Sequence, residues 1–470
     1  MGEGTSHMKV LLVYPNIVET PKDISLGLAI ISSLLKKHNH KVKLLDSTFH
    51  NPNKQEIELI TKQFDPDLVA VTAATNDLEN AIRICKIIKN IKLVPIICGG
   101  YHATISPQDI LDQDCFDVAA IGEAEQSLLE FINTLEKKEY NYKINNLWIK
   151  KEKEIIKNEI SSLNQDLNSL PFADREIFDY QKYIDANRGL ATFMSSKGCP
   201  FQCSYCINKV LMEKYKGKGK YLRFRSIDNL VKEIKQVTNN YKVKEIEFYD
   251  DTFTLNKERT KEFAEKYKKE INIPFYINAR VNAVSKQDFK LLKKAGCIRI
   301  SIGIESGDPY IRNTILKRNQ TNEQIINTFK WAREEGIKTY AFNMIGIPYE
   351  DEKSIKKTIA LNQIAKPDYI GVSIFNAFKG TELYDLCKKN NWLKEKNSSS
   401  YFQSTNVIHP NFTIKKLKKL RDHFGYNIFK QTSKKRAYID LIDKKLTKIP
   451  LYTRLRSKLI EKGIKKIIEK

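Results

Sequence analysis

The chain has 470 residues, which is enough for two or three domains that each bury a core. Hydrophobic residues make up 41% of it and aromatic residues 10%, a composition that excludes an intrinsically disordered protein. The net charge is +24, of which residues 411–470 supply +14 from 19 basic and 5 acidic side chains. The rest of the chain carries only +10, so the charge does not indicate nucleic-acid binding over the whole surface.

The amino terminus, MGEGTSHM, is typical of an expression remnant, so we expect residues 1–7 to be foreign and the natural chain to begin at Met8. No apolar run approaches the roughly 18–20 residues that a membrane-spanning helix needs. No secretory signal follows Met8, so the expected location is the cytoplasm.

Residues 8–135 alternate between short apolar runs and segments with helical period. This pattern predicts an α/β domain with a doubly wound (Rossmann-like) parallel sheet, which binds ligands at the carboxyl ends of its strands. Residues 136–188 are polar and mixed, and they predict a linker that contains a hairpin at 146–159. The predicted strands of the first domain are 9–15, 41–47, 67–75, 94–100 and 117–122.

Residues 189–400 contain a second alternating series of six strands and the helices between them. Six such units predict a partial (β/α)6 barrel of the TIM type, whose active site lies at the carboxyl-terminal rim. Residues 401–470 predict a basic, helical carboxyl-terminal region. The predicted barrel strands are 191–198, 245–251, 274–281, 299–306, 338–347 and 368–377.

Three cysteines, Cys199, Cys203 and Cys206, lie in the loop after the first barrel strand. Their spacing lets one loop hold three corners of a 4Fe-4S cubane and leaves the fourth iron open. Zinc and inert thiols are the alternatives, although an open zinc site usually includes histidine and none lies between His102 and His409.

The other five cysteines are scattered through apolar segments. In a chain with so few cysteines this context predicts small buried side chains rather than disulfides or ligands. They are Cys85, Cys98, Cys115, Cys297 and Cys387.

The C-x3-C-x2-C loop, with Tyr205 before its third cysteine, resembles the signature of the radical S-adenosylmethionine (SAM) enzymes. The resemblance implies that the amino and carboxylate groups of SAM chelate the open iron. An electron from the cluster then cleaves the sulfonium to a 5′-deoxyadenosyl radical. An external electron donor of the flavodoxin or ferredoxin type is implied as a partner.

Residues at the ends of the later barrel strands are similar to the SAM contacts of that family. The resemblance implies carboxylates for the ammonium, an arginine for a carboxylate or ribose contact, a ribose-binding strand end, and a Gly-Ile-Pro loop beside adenine. The implied SAM contacts are Asp250, Asp251, Arg280, Gly303, Glu305, Ser306 and Gly346.

The first predicted domain lacks the G-x-G-x-x-G spacing of a dinucleotide site. Its segments VTAAT, CGGYHAT and IGEAE instead resemble signatures of cobalamin-binding domains. The first loop has no histidine, which implies cobalamin without a histidine ligand on cobalt; a domain that has lost its cofactor is the alternative. The implied cobalamin contacts are Tyr14, Asn16, Thr72, Thr75, Gly99, Gly100, His102, Gly122 and Glu123.

Both resemblances together predict a cobalamin-dependent radical SAM enzyme that methylates an unactivated carbon of a substrate such as a lipid or natural product. The alternative is a radical cyclase, coupling or rearrangement enzyme without methyl transfer, similar to the anaerobic porphyrin-ring cyclases. An RNA-modifying or nucleic-acid-binding protein is a third hypothesis, which the helical pattern of the carboxyl-terminal region disfavours.

Residues 451–470 draw one apolar helical stripe that basic residues flank. Such a helix suits the surface of an anionic membrane, and the enzyme would then be peripheral to it. The alternative is that the stripe packs on the core of the enzyme itself.

Overall fold

The computed structural model describes residues 7–17, 23–138, 140–394 and 404–446. The chain forms two compact units. The first comprises Met1–Gly189, Val210–Asn229 and Gln236–Lys242, and the second comprises Leu190–Lys209, Leu230–Lys235 and Val243–Lys470. The amphipathic stripe predicted over 451–470 lies outside the described residues.

The first unit contains a seven-stranded sheet with the order β2-β1-β3-β4-β5-β6-β7. Its first five strands are parallel, and β6 and β7 form an antiparallel hairpin that continues the sheet. The strands are β1 Lys9–Tyr14, β2 Lys41–Asp46, β3 Leu68–Thr72, β4 Ile96–Gly99, β5 Val118–Ala120, β6 Leu147–Lys151 and β7 Glu154–Lys157.

Helices follow the strands of this sheet as the alternating pattern predicted. Strand β1 is a continuous apolar run whose four central residues, 10–13, are fully buried, as expected for a parallel strand with both faces covered. The helices are α1 Leu26–Lys37, α2 Lys54–Phe64, α3 Leu78–Ile91, α4 Tyr101–Ile105, α5 Pro107–Leu111, α6 Glu125–Glu136 and α7 Tyr180–Ala186.

The second unit contains a six-stranded, all-parallel sheet with the order β15-β14-β13-β12-β11-β8. The six predicted barrel strands are therefore confirmed, and they pair in chain order as a partial barrel requires. The strands from residue 190 onward are β8 Leu190–Phe193, β9 Ser196–Lys197, β10 Arg223–Phe224, β11 Glu245–Phe248, β12 Phe275–Ala279, β13 Cys297–Glu305, β14 Lys338–Ile345 and β15 Tyr369–Ile374.

The outer faces of these strands pack against helices. The last two described helices are part of this packing, because Leu417 and Phe424 of α15 share a buried cluster with Ile345 and Ile374 at the ends of β14 and β15. The helices from residue 207 onward are α8 Ile207–Lys214, α9 Ile227–Asn240, α10 Lys257–Glu270, α11 Lys286–Ala295, α12 Asn322–Glu334, α13 Glu352–Ala365, α14 Glu382–Lys389, α15 Ile414–Phe429 and α16 Lys434–Leu446.

The structure differs from the predicted elements at strand ends. The strands predicted over 67–75, 338–347 and 368–377 end two or three residues earlier, because their last residues turn into the loops that carry polar groups. The five scattered cysteines are all buried, as predicted.

No helix in the described part of the chain is both long and apolar enough to cross a membrane.

Candidate cluster and cofactor sites

The three-cysteine loop lies between β9 and α8, at the carboxyl end of the first barrel strand. Cys199 and Cys203 are buried, whereas Cys206 is half-buried. Burial raises the pKa of the Cys199 thiol, and it raises the pKa of Cys206 to about 11. These thiols therefore need a bound metal to hold them in the thiolate form at neutral pH.

Two side chains donate hydrogen bonds to sulfur atoms of this loop. Arg280 Nη1 lies 3.0 Å from Cys203 Sγ, and Asn208 Nδ2 lies 3.8 Å from Cys206 Sγ. The guanidinium of Arg280 also stacks 4.0 Å above the ring of Phe201, which fixes its plane. A cation and an amide that point at thiols favour thiolate ligands, so the donor set fits an iron–sulfur cluster.

A single metal ion would need several ligands that point at one position. Within the described ranges, no group of three or more His, Cys, Asp or Glu side chains does so. In a cubane each thiolate binds a different iron, so its three cysteines need not converge on one point.

Beside this loop, Glu305 and Arg318 form a buried ion pair with 3.4 Å between Oε1 and Nη1. Arg318 also donates to the hydroxyl of Tyr205 at 2.7 Å. Burial raises the pKa of Glu305, and the neighbouring Arg318 opposes that rise. The aromatic residue before the third cysteine thus contacts the cation that holds Glu305 in place.

The end of β13 leaves little room for a side chain at position 303 while Glu305 and Arg318 keep their positions. A Cβ there would lie 2.4 Å from Glu305 Oε1 and 2.8 Å from Arg318 Nη2. The register of β13 against β14 shifts between Gly303 and Glu305, and Glu305 has a φ of 59°. This bulge turns the Glu305 carboxylate back over Gly303.

The two neighbouring aspartates after β11 have different surroundings. The carboxylate of Asp250 is buried and accepts hydrogen bonds from the Ser195 amide at 3.0 Å, the Ser195 hydroxyl at 2.7 Å and the Ser196 hydroxyl. Asp251 is exposed, but the protein atoms around its carboxylate still raise its pKa, chiefly by desolvation. Asp251 is therefore the carboxylate that a ligand can reach, whereas Asp250 holds the end of β8.

The two remaining predicted SAM contacts are held firmly by their own loops. Ser306 is fully buried, and its carbonyl accepts from Arg312 at 3.0 Å. Gly346 has a φ of 74°, and its amide donates to Glu350 Oε2 at 2.6 Å. The buried Glu350 carboxyl, which sequence reasoning missed, thus fixes the turn after β14.

In the first unit, the predicted cobalamin residues lie at the carboxyl ends of β1, β3, β4 and β5. The hydroxyl of Thr104 links two of these ends, because it donates to the Gly100 carbonyl at 2.8 Å and accepts from the Gly122 amide at 2.9 Å. Gly100 has a φ of 94°, and a Cβ there would lie 2.7 Å from the hydroxyl oxygen of Thr72.

Four other predicted cobalamin residues make three separate contacts. His102 Nδ1 lies 3.1 Å from the Thr75 hydroxyl oxygen, so these two residues do meet. Asn16 is buried and donates to the Thr48 hydroxyl at 3.1 Å, while the Tyr14 hydroxyl donates to the Asp23 carbonyl at 3.1 Å.

Space for a ligand differs between Gly99 and Gly122. A Cβ on Gly99 would meet only Ala120 Cβ, at 3.7 Å, which leaves room for a ligand to approach the backbone. A Cβ on Gly122 would lie 1.8 Å from the hydroxyl oxygen of Tyr215. The residues present fit a buried cofactor tail at Gly99, whereas the missing side chain at Gly122 accommodates Tyr215.

Glu123, another predicted cobalamin contact, is held within the protein. Its carboxylate accepts two hydrogen bonds from the buried Arg223, at 2.6 and 2.9 Å, and its amide donates to the Tyr215 hydroxyl at 2.8 Å. Sequence reasoning missed Tyr215, Arg223 and Arg318. Only their position 9 to 17 residues after a recognised motif residue, Cys206 or Glu305, could have suggested them.

The chain combines a doubly wound cofactor domain with a partial barrel whose rim carries three cysteines. This combination defines the class of enzyme. Comparison with known protein families gives a match for each of these two domains. The family model for the radical SAM superfamily matches residues 194–361, and the model for the B12 binding domain matches residues 22–132.

An uncharacterized methyltransferase of Pyrococcus horikoshii is 30% identical over 423 residues, which are 88% of this chain and 90% of the relative. The anaerobic magnesium-protoporphyrin IX monomethyl ester cyclase of Rubrivivax gelatinosus is 22% identical over 80% of this chain and 69% of the relative. The structure of the cobalamin-dependent SAM radical enzyme OxsB, with aqua-cobalamin and SAM bound, superimposes with a TM-score of 0.72 at 16% identity and covers 93% of this chain and 70% of OxsB.

The chain belongs to the radical SAM superfamily and carries a B12-binding domain in front of the radical SAM core. The predicted family, fold class and enzyme character are confirmed, and so are the predicted cofactors: a 4Fe-4S cluster, SAM and cobalamin. The individual contact residues and the domain boundaries stay predictions.

Proposed function

We propose that this protein transfers a methyl group to an unactivated carbon of a small-molecule substrate. The observation that carries the proposal is the three-cysteine loop with Arg280 and Asn208 donating to its sulfur atoms. The name of the Pyrococcus horikoshii relative, a methyltransferase, supports the same reaction class.

Three groups of side chains would divide the work in the second unit. Cys199, Cys203 and Cys206 would hold the cluster through their thiolates. Asp251 would accept from the ammonium of SAM, and Glu305, which Arg318 holds in place, would accept from its ribose hydroxyls. When bound, the cluster supplies an electron, SAM supplies the deoxyadenosyl group and cobalamin supplies the methyl group.

The first unit would hold cobalamin at the carboxyl ends of β3 and β4. The backbone at Gly99 supports this role, because the only atom that a Cβ there would meet within 4 Å is the Ala120 Cβ, at 3.7 Å. Thr72 and Thr75 would offer hydroxyls to the cofactor tail, and His102 would line it beside Thr75.

A radical cyclase without methyl transfer is the second candidate, and the similarity to the Rubrivivax gelatinosus cyclase over 80% of this chain favours it. Counting products separates the two reactions. Methyl transfer gives both S-adenosylhomocysteine and 5′-deoxyadenosine for each product, whereas the cyclase reaction gives no S-adenosylhomocysteine.

Anaerobic purification with assays of iron, sulfide and corrinoid tests the cofactor set before any substrate is known. We expect four irons and one corrinoid per chain, as one cubane and one cobalamin require. A chain that takes up corrinoid but releases no S-adenosylhomocysteine with any methyl acceptor would contradict the proposed reaction.

We propose a lipid or natural product as the substrate. Peripheral membrane binding through residues 451–470 would bring the enzyme to a lipid substrate. The apolar stripe and its basic flanks in the sequence support this. Co-sedimentation with anionic vesicles tests it, with the full chain compared to one that ends before Leu451. Equal sedimentation of both chains would contradict membrane binding by this segment.

A further inference from the structure

The loop that follows α8 carries an unusual concentration of positive charge. Residues 214–225, KYKGKGKYLRFR, contain six basic side chains and no acidic one. Lys216 and Lys220 are exposed and form no ion pair with any described residue, while Lys218 is half-buried and lies 3.6 Å from the exposed Glu159. We call residues 214–222 the basic loop.

Both ends of the basic loop are anchored by buried side chains. At its start, Tyr215 is 4% exposed and accepts from the Glu123 amide. Just beyond its end, the guanidinium of Arg223 is 3% exposed and pairs with both oxygens of the Glu123 carboxylate. One residue, Glu123, therefore fixes both ends.

The middle of the basic loop is held by backbone contacts. The amide of Leu163 donates to the Lys218 carbonyl at 2.8 Å, and the amide of Lys220 donates to Gln165 Oε1 at 3.1 Å. Gly217 and Gly219 have φ values of 78° and 107°, which few other residues adopt. Ordering a lysine-rich loop in this way costs conformational entropy, so its fixed shape indicates a use for the charge that it presents.

The basic loop is also close in the chain to the candidate cluster. Helix α8, Ile207–Lys214, begins directly after Cys206 and ends at the first residue of the loop. The proposed cluster needs one electron for each turnover, and that electron must come from outside this chain.

We propose that the basic loop docks an acidic protein that carries single electrons. This proposal rests on the proposed function, which creates the need for the donor. In the step, the carrier is oxidised by one electron and the cluster is reduced by one; no bond or proton is transferred. Complementary charges speed such encounters, and salt weakens the effect.

The test uses the full chain with its cluster restored and the variant Lys216→Glu/Lys218→Glu/Lys220→Glu. A matched control carries the same charge change on the outer helices, Lys261→Glu/Lys290→Glu/Lys294→Glu, all three exposed on α10 and α11. Reduced flavodoxin serves as the acidic donor and reduced methyl viologen as the small cationic one. The rate of 5′-deoxyadenosine formation is measured with each.

With flavodoxin at low ionic strength, we expect the loop variant to lose at least about tenfold in rate, and we expect the loss to shrink as salt is added. With methyl viologen, the loop variant should react at least as fast as the unmodified chain, because the charge reversal removes the repulsion of this cation. The control variant should match the unmodified chain with both donors. Equal flavodoxin rates in all three chains would overturn the proposal. An equal loss with both donors would also overturn it, because the loop would then act on the site and not on docking.

Direct binding of flavodoxin to the cluster-loaded chain, measured by calorimetry, tests docking even if no deoxyadenosine forms. Absence of deoxyadenosine with both donors in the unmodified chain would count against the proposed function alone. Retention of RNA or anionic vesicles that the loop variant loses, with unchanged flavodoxin binding, would assign the loop to a different partner and overturn the proposal.

Discussion

The two units place polar residues at the same topological position, the carboxyl ends of parallel strands, but they use these residues differently. In the second unit, the side chains beside the cysteine loop point at sulfur atoms or at one another: Arg280 contacts Cys203, and Arg318 joins Glu305 to Tyr205. In the first unit, a Cβ added at one predicted contact, Gly99, would meet only Ala120, while another, Glu123, is held by Arg223 and Tyr215.

This difference indicates how each unit would bind its cofactor. A cluster needs a few ligands at fixed positions, and buried ion pairs can hold them there before the metal arrives. A large organic cofactor instead needs a surface along which backbone can approach it, so glycines matter more than charged side chains. Cofactor binding in the first unit would therefore depend mainly on the shape of the binding surface, and in the second unit on the chemistry of a few atoms.

The largest expected effect comes from removing the thiols of the second unit. Changing Cys199, Cys203 and Cys206 to Ala should abolish 5′-deoxyadenosine formation from SAM, because the cluster loses all its protein ligands. Changing the buried Cys297 and Cys387 to Ala is the matched control and should leave bound iron unchanged. Deoxyadenosine from the triple variant would contradict the assignment of the ligands.

The next effect concerns the charges beside the thiols. Arg318→Met leaves the Glu305 carboxylate buried without its cation, and we expect the free energy of unfolding to fall by about 3 kcal/mol. The double variant Arg318→Met/Glu305→Gln should recover part of this loss, because no uncompensated charge remains. Chemical denaturation measures both, with the exposed Arg333→Met as control. Equal losses in the single and double variants would show that packing, not charge, dominates.

A smaller effect is expected in the first unit, where space matters. Gly99→Leu should leave the fold intact, because a Cβ there would make only an ordinary van der Waals contact with Ala120 at 3.7 Å, but it should fill the room beside the backbone. We expect cobalamin binding to weaken by about tenfold or more, since a misfitted side chain of this size costs roughly 1–3 kcal/mol. Spectroscopic titration of the apo-protein with cobalamin measures this.

The control for that substitution is Gly27→Leu, at an exposed position of α1 in the same unit. It should bind cobalamin as the unmodified chain does. Unchanged cobalamin binding by Gly99→Leu would contradict the proposal that the cofactor tail lies at this strand end.

The contrast between the two units also explains which features could be predicted from the sequence. The cysteine loop was readable because its chemistry is confined to eight consecutive residues, 199–206. The alternating apolar runs likewise predicted both parallel sheets, since buried parallel strands are continuous apolar segments. Contacts between distant segments could not be read, because an ordinary residue such as Arg318 or Tyr215 gains its role only when folding brings it to a motif.

Gly122 illustrates a second limit on what the sequence alone can predict. Its glycine was predicted to admit a ligand, but the structure fills that space with the phenol of Tyr215, which is 93 residues later in the chain. A glycine motif shows that something approaches the backbone closely; it does not show whether that neighbour is a ligand or another part of the protein. The two adjacent aspartates, Asp250 and Asp251, were similarly inseparable until their hydrogen bonds were seen.

The smallest expected effect compares one carboxyl group in each unit: Glu350, which is buried, and Asp77, which is half-buried. Desolvation raises the pKa of Glu350 in the second unit to about 8 and that of Asp77 in the first unit to about 6. Each has one buried oxygen without a hydrogen-bond partner among the described residues.

Because both folded-state pKa values are raised, the folded protein binds protons that the unfolded chain releases, and stability falls as pH rises. The expected window runs from the ordinary pKa of 4.5 to about 8 for Glu350, and from the ordinary pKa of 3.8 to about 6 for Asp77. The slope from one group is at most about 1.4 kcal/mol per pH unit.

Glu350→Gln should therefore flatten the decline in unfolding free energy between pH 6 and 8, while Asp77→Asn should flatten it only below about pH 6. Glu352→Gln is the control near Glu350, because Glu352 has a lowered pKa and is not one of the groups that raise the pKa of Glu350, so it should leave this decline unchanged. Denaturation at a series of pH values measures all three, and identical profiles for Glu350→Gln and the unmodified chain would show that water reaches the Glu350 carboxyl group.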